Sequence, residues 1–145
     1  MIKRLRQYKL SFTPRQFLLV ASLILVSFLG ISTKLYSGPG QDWIHHYSGG
    51  IFYEIFFCLL IALLLPSLGL WKIGTIVFSG TSLIEFLQLY HSPWLQYWRS
   101  IWIGKALLGT TFNVLDFPYY FLGCVVGILW IHAINRYTRD KSDKH

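Results

Sequence analysis

The chain reads as an all-α integral membrane four-helix bundle with an interfacial helix between spans 3 and 4. Three observations predict this. Hydrophobic residues make up 54% of the 145 residues and charged residues only 13%, against about 45–50% and about 25% in soluble domains. The excess is gathered into four long runs rather than spread evenly. Residues 16–33 are uncharged, 55–71 are uncharged, 73–98 are interrupted only by Glu85, and 106–135 only by Asp116. A span needs about 20 residues at about 1.5 Å rise each to cross about 30 Å of hydrocarbon. The third observation is charge placement. Lys3, Arg4, Arg6, Lys9, Arg15, Lys72, Arg136, Arg139, Lys141 and Lys144 fall on one side of an even-numbered set of spans, and Lys34, Arg99 and Lys105 on the other. Positive charge concentrates on the cytoplasmic side, so both termini are expected to be cytoplasmic. The net charge of +7 is thereby explained without a nucleic-acid partner.

One membrane domain is expected over residues 16–135. A basic cytoplasmic segment, 1–15, precedes it and a basic cytoplasmic tail, 136–145, follows. The spans are placed at about 16–33, 48–65, 73–90 and 114–134. The first is read as an anchor rather than a cleaved signal peptide, because no Ala-x-Ala site follows its apolar run. Gly38-Pro39-Gly40 then marks a turn. Trp43 is assigned to the membrane interface. His45 and His46 are adjacent and therefore diverge on any regular element, so no metal site is expected there. Pro66 closes the second span, and Lys72 sits in a short cytoplasmic turn. Cys58 and Cys124 fall inside spans and show neither metal nor disulfide-framework spacing.

The third span carries a polar face. Thr81, Glu85 and Gln88 lie three and four residues apart and therefore share one side of a helix. An ionisable group at membrane depth is a functional-site hypothesis by default. Ser92-Pro93 reads as an N-cap followed by proline at the first helical position. Trp94, Trp98 and Trp102 then recur every four residues over the interfacial helix, about 93–103, with Gly104 as its terminator. On the fourth span Asp116, Tyr120, Gly123 and Gly127 share a face. Gly123-xxx-Gly127 permits close helix packing, within this chain or between two copies.

Counting residues from each membrane entry puts Glu54, Glu85, Gln88 and Asp116 at similar depth toward the outer leaflet, with Arg99 within reach above them. Two uses of this cluster stay open. The acids and Arg99 can form a structural network that pins the interfacial helix. They can equally line a pocket for a headgroup, handle protons, or act as an acid/base pair. No nucleophile, zinc or phosphate-loop motif is present, so no catalytic residue, cofactor or metal is expected.

These residues carry a resemblance. Glu85-Phe86-Leu87-Gln88-Leu89-Tyr90, then Pro93-Trp94-Leu95, Arg99, Gly104, Leu107-Leu108-Gly109, Phe112, Asp116, Tyr120 and Gly123 resemble the small bacterial membrane proteins grouped as domain of unknown function 2809. That family is similar in pattern to the VanZ-like proteins. Tyr47-x-Gly49 and Tyr53 fit as well, and the likeness covers about residues 17–133. Where many members have an Asp after that glycine, this chain has Gly50 and carries Glu54 one turn later. Gly38-Pro39-Gly40-Gln41 and Tyr53-Glu54 look like cyanobacterial members, which implies a bacterial plasma membrane or a thylakoid membrane. The resemblance implies a multi-helix membrane protein and supplies no activity. VanZ-like proteins are linked with reduced susceptibility to a glycopeptide antibiotic.

The leading functional expectation is a non-enzymatic protein. Its outer-leaflet site, formed by Glu85, Gln88, Arg99, Asp116 and Glu54, binds a lipid headgroup or an envelope precursor. A subunit or assembly factor of a larger membrane complex, photosynthetic or otherwise, is the first alternative. It rests on the Gly123/Gly127 face as a site for a membrane-protein partner or a homodimer. A membrane enzyme acting on a lipid-linked substrate is the second.

Overall fold

A computed structural model describes residues 12–109 and 111–144, so the basic positions up to residue 11 lie outside the described residues. Among the described residues six helices follow one another: α1 (Pro14–Leu35), α2 (Gln41–Leu64), α3 (Leu70–Leu87), α4 (Pro93–Ser100), α5 (Trp102–Leu108) and α6 (Asp116–Ser142). Four of them, α1, α2, α3 and α6, are long and apolar enough to cross a membrane. The protein is an all-α, multi-pass membrane bundle.

Local chemistry sets the ends of α1. Thr13 caps it: the Thr13 hydroxyl accepts from the Gln16 amide at 3.2 Å, and the Gln16 side chain accepts from the Thr13 amide at 3.0 Å. Pro14 fills the first helical position, where no amide hydrogen is needed. At the far end α6 runs on to Ser142, well past the expected boundary near 134. Arg139 and Lys141 sit in that last turn, where cations complement the exposed carbonyls.

The second span differs most from expectation. Its helix begins at Gln41, seven residues before the expected start at 48, and Ile44–Ser48 forms a π-helical turn within it. The polar residues of this turn satisfy themselves locally. His46 Nδ1 lies 2.7 Å from the Asp42 carbonyl, and the Ser48 hydroxyl donates to the Ile44 carbonyl. Glu54 consequently lies midway along α2, deeper than a count from residue 48 places it.

The interfacial segment is two helices rather than one. Ile101, in extended conformation, separates α4 from α5. Trp102 therefore leaves the row of Trp94 and Trp98, and all three rings are exposed. Gly104 does not terminate anything. It is buried inside α5, where a Cβ would collide with the Trp98 backbone carbonyl, so only glycine lets α5 fold back onto α4. The true stop is Gly109, whose φ of 64° is a region that L side chains avoid.

The core lies where α2 meets α6. Gly123 and Gly127 bring the two backbones together: a Cβ on Gly123 would stand 2.8 Å from the Ile51 carbonyl, and one on Gly127 2.9 Å from the Cys58 Cβ. The glycine face is thus filled by this chain's own α2. Around this contact Leu59, Ala62, Cys58 and Ile131 are fully buried with Leu19 of α1. Dispersion and close packing, rather than apolar transfer from water, hold helices together in lipid. The outward surfaces of α1 and α6 carry exposed Phe17, Ile24, Phe28, Phe121 and Leu129, as a lipid-facing surface requires.

Candidate functional site

Two short polar networks and a cavity occupy the end of the bundle where α1 and α3 finish and α2 and α6 begin. The first network centres on Glu85, which is 1% exposed. One carboxylate oxygen accepts from the Asn113 backbone amide at 2.8 Å. The other accepts from the Tyr120 hydroxyl at 3.0 Å and from the Gln88 side-chain amide at 3.2 Å. Three donors on one buried carboxylate tie α3 to the start of α6 and to the loop before it. Hydrogen bonds to a charged group contribute about 1.5–3 kcal/mol each, more than neutral ones.

Gln88 extends this network. Its amide nitrogen also donates to the Leu108 carbonyl at 3.0 Å, holding the end of α5 against α3. The orientation of the amide follows from its neighbours: turning it over would set oxygen against both the Glu85 carboxylate and the Leu108 carbonyl. Its own Oε1 is left buried and without a partner among the described residues. A buried unsatisfied acceptor costs about 1–3 kcal/mol.

The second network is deeper. Glu54 is fully buried and accepts from the Cys124 thiol at 2.9 Å, with its other oxygen unpartnered among the described residues. Thr81 donates to carbonyls of its own helix, Val77 and Phe78. The expected face of Thr81, Glu85 and Gln88 does point inward, and all three residues are buried.

Arg99 is not part of the acid cluster. Its guanidinium donates to the Leu87 carbonyl at 2.8 Å and the Tyr90 carbonyl at 3.4 Å. A Glu–Arg–Asp network is therefore not how α4 is held. Arg99 instead binds the end of α3, adding a donor to the Leu87 carbonyl, which also accepts from the Tyr90 amide, and another to the Tyr90 carbonyl. Asp116 is half-buried at the start of α6 and accepts from the Asn113 side chain at 3.2 Å. It reaches the Glu85 network only through Asn113. Gln88 and Glu85 come together; Asp116 stands one residue removed, Glu54 lies deeper, and Arg99 faces elsewhere.

Beside these networks lies a cavity of about 790 Å³. Phe52, Phe56 and Phe57 of α2 and Val26 and Ile31 of α1 give it apolar walls, while Glu85, Gln88 and Tyr120 stand on its polar side. Lys34, His46 and Lys105 also line it, from three different elements. Tyr53 on the same wall donates to the Leu107 carbonyl at 3.1 Å and so holds α5 in place over it.

Sequence reasoning passed over three kinds of participant. Tyr120 carried a signal, being one turn from Asp116 on the same face. Asn113 acts through its backbone amide, which no side-chain pattern reveals. Lys34 and Lys105 looked like isolated interfacial charges because nothing local joins them.

A family model described as a protein of unknown function, DUF2809, matches residues 40–124, a stretch that contains Glu54, Glu85, Gln88, Arg99, Asp116 and Tyr120. No solved structure matches the chain.

Proposed function

The chain belongs to the DUF2809 family of proteins of unknown function, and we propose that it is a non-enzymatic binder of an amphiphile, a lipid or lipid-linked envelope precursor. The observation that carries this reading is the 790 Å³ cavity, apolar along α1 and α2 and polar at Glu85 and Gln88. Ligand sites of about 300–1,000 Å³ with mostly apolar walls and a few convergent polar groups are the usual form of small-molecule pockets. An acyl chain suits the phenylalanine wall, and a headgroup suits the polar side. Glu85 accepts from three fixed donors, which favours a rigid binding surface over a proton-transfer group.

The charge distribution supports an outward-facing cavity, since the described basic residues Arg136, Arg139 and Lys141 and the turn residue Lys72 gather at the opposite end. The likeness to VanZ-like and cyanobacterial proteins belongs to the same reading, with the cavity on the envelope side of a plasma or thylakoid membrane. A cysteine placed at Ser37 is then expected to react with an impermeant maleimide in intact cells, and one at Ser142 only after lysis. Labelling in the reverse order would turn the cavity to the cytoplasm.

The test of binding is purification of the tagged protein in mild detergent and mass spectrometry of the lipids that accompany it. Ala106 is exposed and lines the cavity without joining either network, so Ala106→Trp puts a bulky ring into the space and leaves the polar contacts intact. A stoichiometric amphiphile is expected with the wild type and none with Ala106→Trp. Equal lipid content in the two proteins would remove the cavity from consideration.

A further inference from the structure

We infer that the amphiphile is an anionic phospholipid, with the phosphate held by Lys34 and Lys105. This rests on the reading of the cavity as an amphiphile site and specifies the headgroup.

Charge comes first. Lys34 ends α1, Lys105 lies in α5, and His46 lies in the π-helical turn of α2, yet all three line one cavity. Among the described residues the single carboxylate on the lining is Glu85. Both of its oxygens are already occupied by the Asn113 amide, the Gln88 amide and the Tyr120 hydroxyl. Among the described residues neither lysine bonds to Glu85, and two lysines against one carboxylate leave the lining with a net positive charge. Lys34 Nζ donates to the His45 carbonyl at 2.8 Å, which fixes the ammonium beside Gly49 and leaves two of its three protons for a ligand. Lys105 has no side-chain hydrogen bond among the described residues, and both lysines are exposed. Two cations from separate elements, one of them positioned by a backbone carbonyl, make a complement for a phosphodiester.

Depth agrees with charge. Lys34 occupies the last turn of a spanning helix, the level at which lipid phosphates lie. The apolar wall of Val26, Ile31, Phe52 and Phe56 runs from there into the bundle, as an acyl chain does.

The test uses the full-length protein in nanodiscs containing equal phosphatidylglycerol and phosphatidylcholine, with native mass spectrometry counting the lipids retained after release. The wild type is expected to retain phosphatidylglycerol in preference. Lys34→Met and Lys105→Met are each expected to reduce that preference about fivefold, the effect of one basic residue near an anionic lipid. Ala106→Trp is expected to lose both lipids. Equal retention of the two lipids by the wild type, with both lost in Ala106→Trp, would overturn the headgroup assignment and leave the amphiphile site standing. Phosphatidylglycerol retained by Ala106→Trp would overturn both, since surface attraction alone would then account for it. Displacement of the lipid by millimolar inorganic phosphate would assign the lysines to a soluble anion instead.

Discussion

At one end of the bundle Arg15 of α1 reaches across to the Asn135 side chain at 2.7 Å and the Ala62 carbonyl at 3.2 Å, joining α1, α6 and α2. At the other end the polar groups bind each other and the connecting segments, and α1, α2, α3 and α5 frame an open space. Both ends use side-chain hydrogen bonds, half-buried at Arg15 and buried at Glu85, but to opposite effect. Near Arg15 they draw three helices onto a core of Leu19, Leu59, Ala62 and Ile131, each fully buried. Near Glu85 they brace α3 against the loop and α6, so that the space beside them persists without being filled. A polar network in lipid can close a bundle or prop it open, and the side chains around it decide which: small residues at Ala62 and Gly127, aromatic rings at Phe52 and Phe56.

The sharpest way to break the contrast is to separate the helices of the closed region. Gly127→Leu forces α2 and α6 apart at Cys58 and is expected to cost about 3 kcal/mol, the upper range for overpacking. Thermal unfolding in detergent would show it, and an unchanged midpoint would mean that the two backbones do not approach so closely. Next is Glu85→Ala, which strands the Asn113 amide, the Tyr120 hydroxyl and the Gln88 amide. A loss of about 2–3 kcal/mol is expected, together with faster proteolysis between 109 and 113. Resistance equal to the wild type would show that the network does not hold that loop.

Arg15→Met tests the closed end by removing two hydrogen bonds while keeping much of the stem. It is expected to cost about 1–1.5 kcal/mol, because water at the rim re-solvates part of what is lost. A larger loss than for Glu85→Ala would reverse the ranking of the two ends. The smallest change in stability belongs to Ala106→Trp, within about 0.5 kcal/mol as for other exposed positions. The same substitution is the one expected to abolish ligand retention, so stability and binding should come apart there.

Four spans, their order, and the inward face of Thr81, Glu85 and Gln88 were legible in the residues, because apolar run length and helical spacing are local properties. The start of α2 was not. His45 and His46 fell before the expected span at 48, yet each finds a backbone carbonyl, on Tyr36 and Asp42 respectively, and the helix continues through them. Gly104 illustrates the same limit. A glycine ending a helix and a glycine passing under another backbone look alike until the Trp98 carbonyl is in place. Arg99 was assigned to carboxylates by charge, whereas the carbonyls of Leu87 and Tyr90 lie closer along the chain and took its donors.

By itself the sequence determined that this is a membrane bundle, which of its residues are ionisable, and which faces of α3 and α6 turn inward. The physical reason is that lipid demands uncharged runs of span length, and polar groups within those runs must face protein. Only the tertiary structure decided what those groups meet. Glu85 accepts from a backbone amide 28 positions away, Glu54 from a thiol 70 positions away, and Lys34 and Lys105 share a cavity to which their local sequences give no clue. Such pairings depend on how helices cross and where loops return, and those are set by the packing of the whole bundle.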